Sequence, residues 1–203
     1  MYALVKDNSI SKIITNPKAM VIGDVRYPAK IFQLWSESEL NAIGIYEVIT
    51  DSTNKKDEAY YINTNEQFDY ANNQVTRSWG TATPKRLEDE NAVDEDGKNI
   101  LDDDGNQVIN YGLKTEKKRI VKQQASGLLE KTDWHNHKAL DDDTYTIPDN
   151  IKSYRADVRA KSNEIESQID ACTNVDELKA LYEYTEQEDG TQTRPLAEFP
   201  KEI

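Results

Sequence analysis

Short alternating apolar runs separated by turn residues predict β-structure in the first part of this chain. The segments Tyr2 to Val5 and Ile10 to Ile14 flank the polar residues 7–9 and predict a β-hairpin. A second hairpin is expected where residues 19–22 and 25–27 flank Gly23-Asp24, because glycine tolerates a positive φ. The same pattern predicts further strands over residues 45–50, 59–63, 67–70 and 74–79.

One short helix is expected between these strands. Ser36 and Glu39 have the spacing of a capping box, in which each side chain bonds the backbone N–H of the other residue. Leu40 and Ile43 give the segment an apolar side, and Gly44 is placed to end the helix. The pattern therefore predicts a β-rich domain with one short helix.

The composition changes near Pro84, where a run of carboxylates begins. Residues 93–100 and 101–108 form a small repeat, and each unit contains an Asp-x-Asp-Gly turn. We expect an exposed, hairpin-like insertion or linker over residues 85–112. Its acidic residues are Glu88, Asp89, Glu90, Asp94, Glu95, Asp96, Asp102, Asp103 and Asp104, and Lys98 is the one basic residue among them.

Helical patterns dominate the rest of the chain. A first helix is expected over residues 114–131, and Pro148 fits the first turn of a second one. Asn174 is placed as the N-cap of a last helix. The second helix carries an imperfect apolar stripe, made by Ile151, Tyr154, Val158, Ile165 and Ile169.

These elements together predict an α+β chain. Its expected parts are a β-rich domain over residues 1–84, the acidic insertion over 85–112 and a helical module over 113–203.

Charge and cysteine content narrow the possible functions. The formal net charge of −13 repels nucleic acid and anionic membranes, so we expect neither as a partner. Cys172 is the single cysteine, which excludes an intrachain disulfide and favours synthesis in a reducing cytoplasm. No apolar run approaches the roughly 20 residues that cross a bilayer, and the N-terminus has no signal-peptide pattern.

Few residues are candidates for metal binding or catalysis. The two histidines, His135 and His137, could bind zinc together with a nearby aspartate, but a polar loop is the preferred interpretation. The acidic turns do not fit an EF-hand, since Ala92 or Ile100 would occupy the first ligand position, although a looser calcium site stays open. No nucleophile elbow or phosphate-binding glycine loop is present. We therefore expect no enzymatic activity, no cofactor and no metal.

Trp134 and Arg155 are the most informative pair in the helical part. We expect Trp134 at a helix end, either packed against the Arg155 guanidinium in a cation–π contact or filling the gap between two helices. Both interpretations make the tryptophan a buried scaffold residue.

Two sequence elements of the helical part carry a family resemblance. They are Leu128-Leu129-Glu130-Lys131-Thr132-Asp133-Trp134 and Tyr154-Arg155-Ala156-Asp157-Val158-Arg159. They resemble the phage tail assembly chaperone-like family, with its Leu-Leu-x-x-Thr-Asp-Trp and Tyr-Arg-x-x-Leu-Arg motifs. Val158 replaces the usual leucine, and Phe199-Pro200 is similar to an aromatic-proline pair near the family's C-terminus, where tryptophan is commoner. The resemblance covers roughly residues 117–200 and assigns structural motif positions to Leu128, Leu129, Thr132, Asp133, Trp134, Tyr154, Arg155 and Arg159.

The first half is similar, less specifically, to opening segments of virion-associated proteins of marine phages. Tyr27-Pro28-Ala29, Leu34-Trp35-Ser36 and Ile43-Gly44-Ile45-Tyr46 carry this similarity. The resemblance implies a structural or adaptor protein of a bacteriophage tail, associated with fibre, baseplate or neck. It implies other tail or tail-fibre proteins as partners and a place in the virion tail after synthesis in the host cytoplasm. A transient assembly chaperone and a receptor- or glycan-binding tail tip are the alternatives, and homo-oligomerisation stays open.

Aromatic residues of the β-rich domain are the expected contact surface. Neighbours in a strand point to opposite faces, so Tyr60 and Tyr61 cannot both enter one core if they lie in a regular strand. One of them should face solvent or a partner. The candidate interface residues are Trp35, Tyr46, Tyr60, Tyr61, Tyr70 and Trp79.

Overall fold

The computed structural model of the protein describes residues 1–203 and divides into two compact units, Met1–Pro84 and Lys85–Ile203. Strands dominate the first unit and long helices dominate the second. The predicted α+β class is confirmed.

The first unit is built on strands with two short helices among them. A five-stranded sheet has the order β2-β1-β5-β8-β7, in which β5 and β8 are parallel and the other neighbours are antiparallel. The elements are Tyr2–Lys6 (β1), Ser9–Ile14 (β2), Met20–Ile22 (β3), Val25–Tyr27 (β4), Ile31–Leu34 (α1), Glu37–Ala42 (α2), Ile45–Thr50 (β5), Tyr61–Ile62 (β6), Gln67–Ala71 (β7), Gln74–Ser78 (β8) and Thr83–Pro84 (β9).

Strand alternation gives this sheet two apolar faces. In β1, Leu4 packs on one side with Ile31, Leu40 and Ile45, so the two short helices cover that face. Ala3 and Val5 point to the other side, where they pack with Val75. Apolar side chains therefore cover both faces of the central strands.

The capping box at the start of α2 is confirmed. Ser36 Oγ accepts a hydrogen bond from the Glu39 backbone N–H, and Glu39 Oε2 accepts one from Ser36 N at 2.8 Å. Gly44 has a φ of +81°, and a Cβ there would lie 2.6 Å from the carbonyl oxygen of Val5. The prediction of one helix was incomplete, because the buried Ile31 anchors α1 before the capping box.

The second unit pairs two long helices. Leu113–Glu130 packs along Asp149–Ala171, and the buried residues of the second helix follow the predicted stripe, with Ser162 buried in its gap. The Asn174 cap is confirmed by a 2.9 Å hydrogen bond from Glu177 N. The elements are Glu90–Asn91 (β10), Ile109–Asn110 (β11), Leu113–Glu130 (α3), Asp133–Asp141 (α4), Asp149–Ala171 (α5), Val175–Tyr182 (α6), Thr185–Glu186 (β12) and Gln192–Thr193 (β13).

The ends of the acidic segment are tied to the start of α3. Asp89 accepts hydrogen bonds from Gly112 N and Thr115 Oγ1, and Lys114 Nζ donates to Glu88 at 2.5 Å. A Cβ at position 112 would lie 2.4 Å from the carbonyl oxygen of Glu88, so only glycine fits there. Residues 85–92 and 108–112 thus act as the N-terminal support of α3, and the exposed insertion is shorter than the predicted range 85–112.

Candidate protein-binding surface

Arg155 lies at the centre of the motif formed by residues 128–134 and 154–159. Its Nη1 donates to the carbonyl oxygen of Leu129 at 2.8 Å and to Thr132 Oγ1 at 2.6 Å. Its Nη2 donates to Asp133 Oδ1 at 2.7 Å. Only 7% of Arg155 is exposed, whereas the Asp133 side chain is 46% exposed. The charge of the guanidinium makes all three hydrogen bonds charge-assisted. The guanidinium fixes the end of α3 and the start of α4 against α5.

Apolar residues of the same motif pack beside this site. Leu128 and Leu129 contact a buried group made by Ala125, Tyr154 and Val158. Phe199, of the C-terminal aromatic-proline pair, packs against the same group. Arg159 donates a 3.2 Å hydrogen bond to the carbonyl oxygen of Arg155. Motif residues far apart in sequence are therefore neighbours in the structure.

Trp134 is the exception, because 54% of it is exposed. Its ring stacks on His135 at 3.7 Å between centroids and lies 6.3 Å from the ring of Tyr145. The expectation of a buried Trp134 was wrong. The guanidinium of Arg155 donates its hydrogen bonds to Leu129, Thr132 and Asp133 and does not form the expected contact with the indole ring. Trp134 instead lies at the surface. The preceding residues, Thr132 and Asp133, are held by the hydrogen bonds of Arg155.

The segment after Trp134 is a helix, not the polar loop that its composition predicted. His135 is the only buried residue of α4, and its Nδ1 is hydrogen-bonded to the Tyr145 hydroxyl. Leu140 is 80% exposed, the highest value among the large hydrophobic residues. Helix α4 therefore presents Trp134 and Leu140 to solvent, and we call these two residues the α4 surface.

The two histidines do not converge on one point of this helix. His135 is buried against Tyr145, whereas His137 is exposed. No group of three or more His, Cys, Asp or Glu side chains in the chain is arranged to hold a metal ion.

The aspartates of the acidic turns bind their own loops. Asp94 Oδ1 accepts from the backbone N–H groups of Asp96 and Lys98. Asp102 Oδ1 accepts in the same way from Asp104 and Asn106. The Asn106 N–H is the main cause of the lowered pKa of Asp102. These carboxylates therefore stabilise the turns.

Cys172 lies at the end of α5, where it is buried and free. Burial is the main cause of its raised pKa, and the nearby Glu177 charge acts in the same direction. A thiol in this setting is a poor nucleophile.

Three of the six candidate interface residues of the first unit are buried. Tyr60, Tyr61 and Trp79 are 6%, 3% and 8% exposed. The expectation that one of the two tyrosines faces solvent was wrong, because they do not lie in one regular strand: Tyr60 lies in a turn and β6 begins at Tyr61. Both tyrosines can therefore be buried.

The other three candidates are half-buried and pair with aromatic rings. Trp35 meets Tyr27 edge-on at 5.8 Å between centroids. Tyr46 and Tyr70 lie 5.0 Å apart, and the hydroxyl of Tyr70 donates to that of Tyr46 at 3.0 Å. This hydrogen bond is the main cause of the raised pKa of Tyr70. These aromatic residues contribute to packing within their own unit.

Comparisons with protein-family models, curated proteins and solved structures find no match. None of the helices has both the length and the apolar character needed to span a bilayer.

Proposed function

We propose that the chain is a structural or adaptor protein of a bacteriophage tail that binds another tail protein through the α4 surface. The observation that carries the proposal is the contrast within the motif. Arg155, Thr132, Tyr154 and Leu129 are packed together, and the neighbouring Trp134 is held in solvent.

The energetics of the site support binding as its purpose. An exposed tryptophan leaves a large apolar area in water, an unfavourable arrangement that a partner would relieve. Tryptophan is also enriched at interface hot spots, where truncation typically costs about 2 kcal/mol or more. The backbone before Trp134 is fixed by Arg155, so less conformational entropy is lost on binding.

The assignment to a phage tail rests on the motif resemblance. The motif positions lie in two separate elements of the chain, and hydrogen bonds between residues 22 to 26 positions apart support the motif as one structural unit. Such an arrangement is what a shared motif with one structural role requires. It supports the family-based proposal without identifying the partner.

The test is co-expression of the chain with the other proteins of the same tail, followed by pull-down and mass spectrometry of purified virions. Trp134→Ala and Leu140→Asp should abolish co-purification while the circular dichroism spectrum stays unchanged. Tyr184→Ala is the matched control, because Tyr184 is also an exposed aromatic residue of the second unit, at 53%.

Stoichiometric presence of the chain in virions supports the structural role. A wild-type chain that binds no tail protein and is absent from virions overturns the proposal. Binding to a fibre protein together with absence from virions would instead indicate the transient chaperone.

A further inference from the structure

The acidic segment closes on itself through a ring of three backbone hydrogen bonds. Ala92 N donates to the carbonyl oxygen of Val108 at 2.8 Å. Val108 N donates to that of Ile100, and Ile100 N donates to that of Ala92, both at 2.9 Å. Each of the three residues donates one hydrogen bond through its N–H group and accepts one through its carbonyl oxygen. The three residues are eight positions apart in the sequence. We call these three residues the ring.

A short sequence unit repeats three times around the ring. An amide residue precedes each ring residue and an aliphatic residue follows it. The three units are Asn91-Ala92-Val93, Asn99-Ile100-Leu101 and Gln107-Val108-Ile109. The ring therefore has approximate threefold symmetry in both sequence and hydrogen bonding.

The strand pairing extends this symmetry outward. Asn91 pairs with Ile109, Val93 with Asn99 and Leu101 with Gln107. Residues directly opposite one another in an antiparallel pair lie on the same face. One face of the ring thus carries three amide–aliphatic pairs, and we call it the threefold face.

Gln107 occupies the centre of the arrangement. Its Nε2 lies 3.0 Å, 3.2 Å and 2.8 Å from the carbonyl oxygens of Ala92, Ile100 and Val108. Only one side chain can occupy the axis. The equivalent positions carry asparagine, whose shorter side chain leaves the centre to glutamine. The side-chain lengths of the three repeats therefore agree with a single central amide.

The threefold face carries exposed aliphatic side chains, and the segment that forms it is acidic. Val93 is 50% exposed and Leu101 is 57% exposed, and Ile109 is half-buried. Lys98 is the single basic residue between positions 90 and 110. The carboxylates of this range are Glu90, Asp94, Glu95, Asp96, Asp102, Asp103 and Asp104.

We infer that the threefold face binds on the symmetry axis of a homotrimeric protein whose axial end carries basic residues. A homotrimer repeats each contact three times around its axis. A single chain can meet all three copies equally only with an element that is itself threefold, and the ring is such an element. The carboxylates of the segment then face the basic residues of the trimer, which favours association and fixes orientation.

This inference rests on the proposed function only in that the chain acts by binding a tail protein. It adds a second surface and a defined stoichiometry of three partner copies to one chain. The α4 surface and the threefold face are tested by different substitutions.

The experiment uses the full chain co-purified with its tail partner and measures the mass of the complex by native mass spectrometry. The expected composition is one chain with three partner copies. The double variant Val93→Lys and Leu101→Lys should weaken binding by about tenfold or more, since it places positive charge in the apolar contact and against the basic residues of the trimer. Binding of the wild type should also weaken as ionic strength rises.

Val21→Lys is the matched control, because Val21 is an aliphatic residue that is 62% exposed in the first unit. It should leave binding unchanged. Circular dichroism of each variant checks folding.

A complex with one or two partner copies, or one unaffected by the double variant, overturns the inference. If such a complex is lost in Trp134→Ala, the proposed function stands without it. If a three-to-one complex needs the threefold face but forms equally well with Trp134→Ala, the inference stands and the binding role of the α4 surface is contradicted.

Discussion

Arg155 Nη1 and the carbonyl oxygen of Leu129 are joined by a 2.8 Å hydrogen bond that ties an early turn of α5 to the last turn of α3. The last carbonyl groups of a helix lack partners within the helix and carry its partial negative charge. A buried guanidinium is suited to such a position, because its fork of donors reaches Thr132 and Asp133 at the same time.

We expect Arg155→Ala to lower the free energy of unfolding by about 3 kcal/mol, because the buried Thr132 and the part-buried Leu129 and Asp133 lose a charged donor. Urea unfolding followed by circular dichroism measures this change. Arg159→Ala is the control, since Arg159 is exposed and makes a single 3.2 Å hydrogen bond. Equal stability of the two variants would contradict a central role for Arg155.

Trp134→Ala should lower the free energy of unfolding by only about 1 kcal/mol, because the ring is half exposed and loses mainly its stacking on His135. Tyr154→Ala should cost about 3 kcal/mol or more, since that ring is 6% exposed. Thermal melts of both variants provide the comparison. A large loss of stability in Trp134→Ala would mean that the indole is buried in solution.

Residues 91–109 should be dispensable for folding of the helices. Glu90 pairs with Asn110, so a two-residue Asn-Gly turn can join them. We expect unchanged helical content by circular dichroism.

Replacing residues 85–112 entirely should lower stability by about 2 kcal/mol, because α3 loses Asp89 and Glu88 at its start. Loss of helicity in the shorter replacement would show that the ring itself is required for folding.

Acid should weaken the start of α6. The pKa of Glu177 is lowered, chiefly because its carboxylate accepts a hydrogen bond from the Thr173 backbone N–H. Its contribution to stability is therefore present above its ordinary pKa and is lost as the pH falls through the lowered pKa. Glu177→Gln should be less stable than the wild type at about pH 7, and the difference should shrink towards about pH 3. Urea midpoints at both pH values measure this, and a constant difference would exclude the ionised carboxylate as its cause.

Local sequence signals predicted much of the fold. The capping box at Ser36, the cap at Asn174 and the stripe through Val158 each depend on neighbouring residues, and each is confirmed. Helix α4 was missed because Asp133, His135 and Asn136 are weak helix formers and its apolar pattern is poor. Contacts outside the helix hold it in place, from His135 to Tyr145, 10 positions on, and from Asp133 to Arg155, 22 positions on.

The candidate site was predicted only in part. The motif residues around Arg155 are neighbours in the structure. The exposure of Trp134 could not be predicted, because it depends on which groups accept the hydrogen bonds of Arg155. The spacing of residues in the sequence does not determine those acceptors. Likewise, Tyr60 and Tyr61 are both buried because a turn precedes β6. Whether the chain is a phage tail protein stays a prediction.

The ring has a consequence for the order of folding. Its hydrogen bonds span residues 8 and 16 positions apart, whereas those that join α3 to α5 span 26 positions, from Leu129 to Arg155, and 56 positions, from Lys114 to Asp170. Closing a short loop costs less entropy and is faster than closing a long one. We therefore expect the ring to form before the helices dock, so that α3 begins from a support that is already folded.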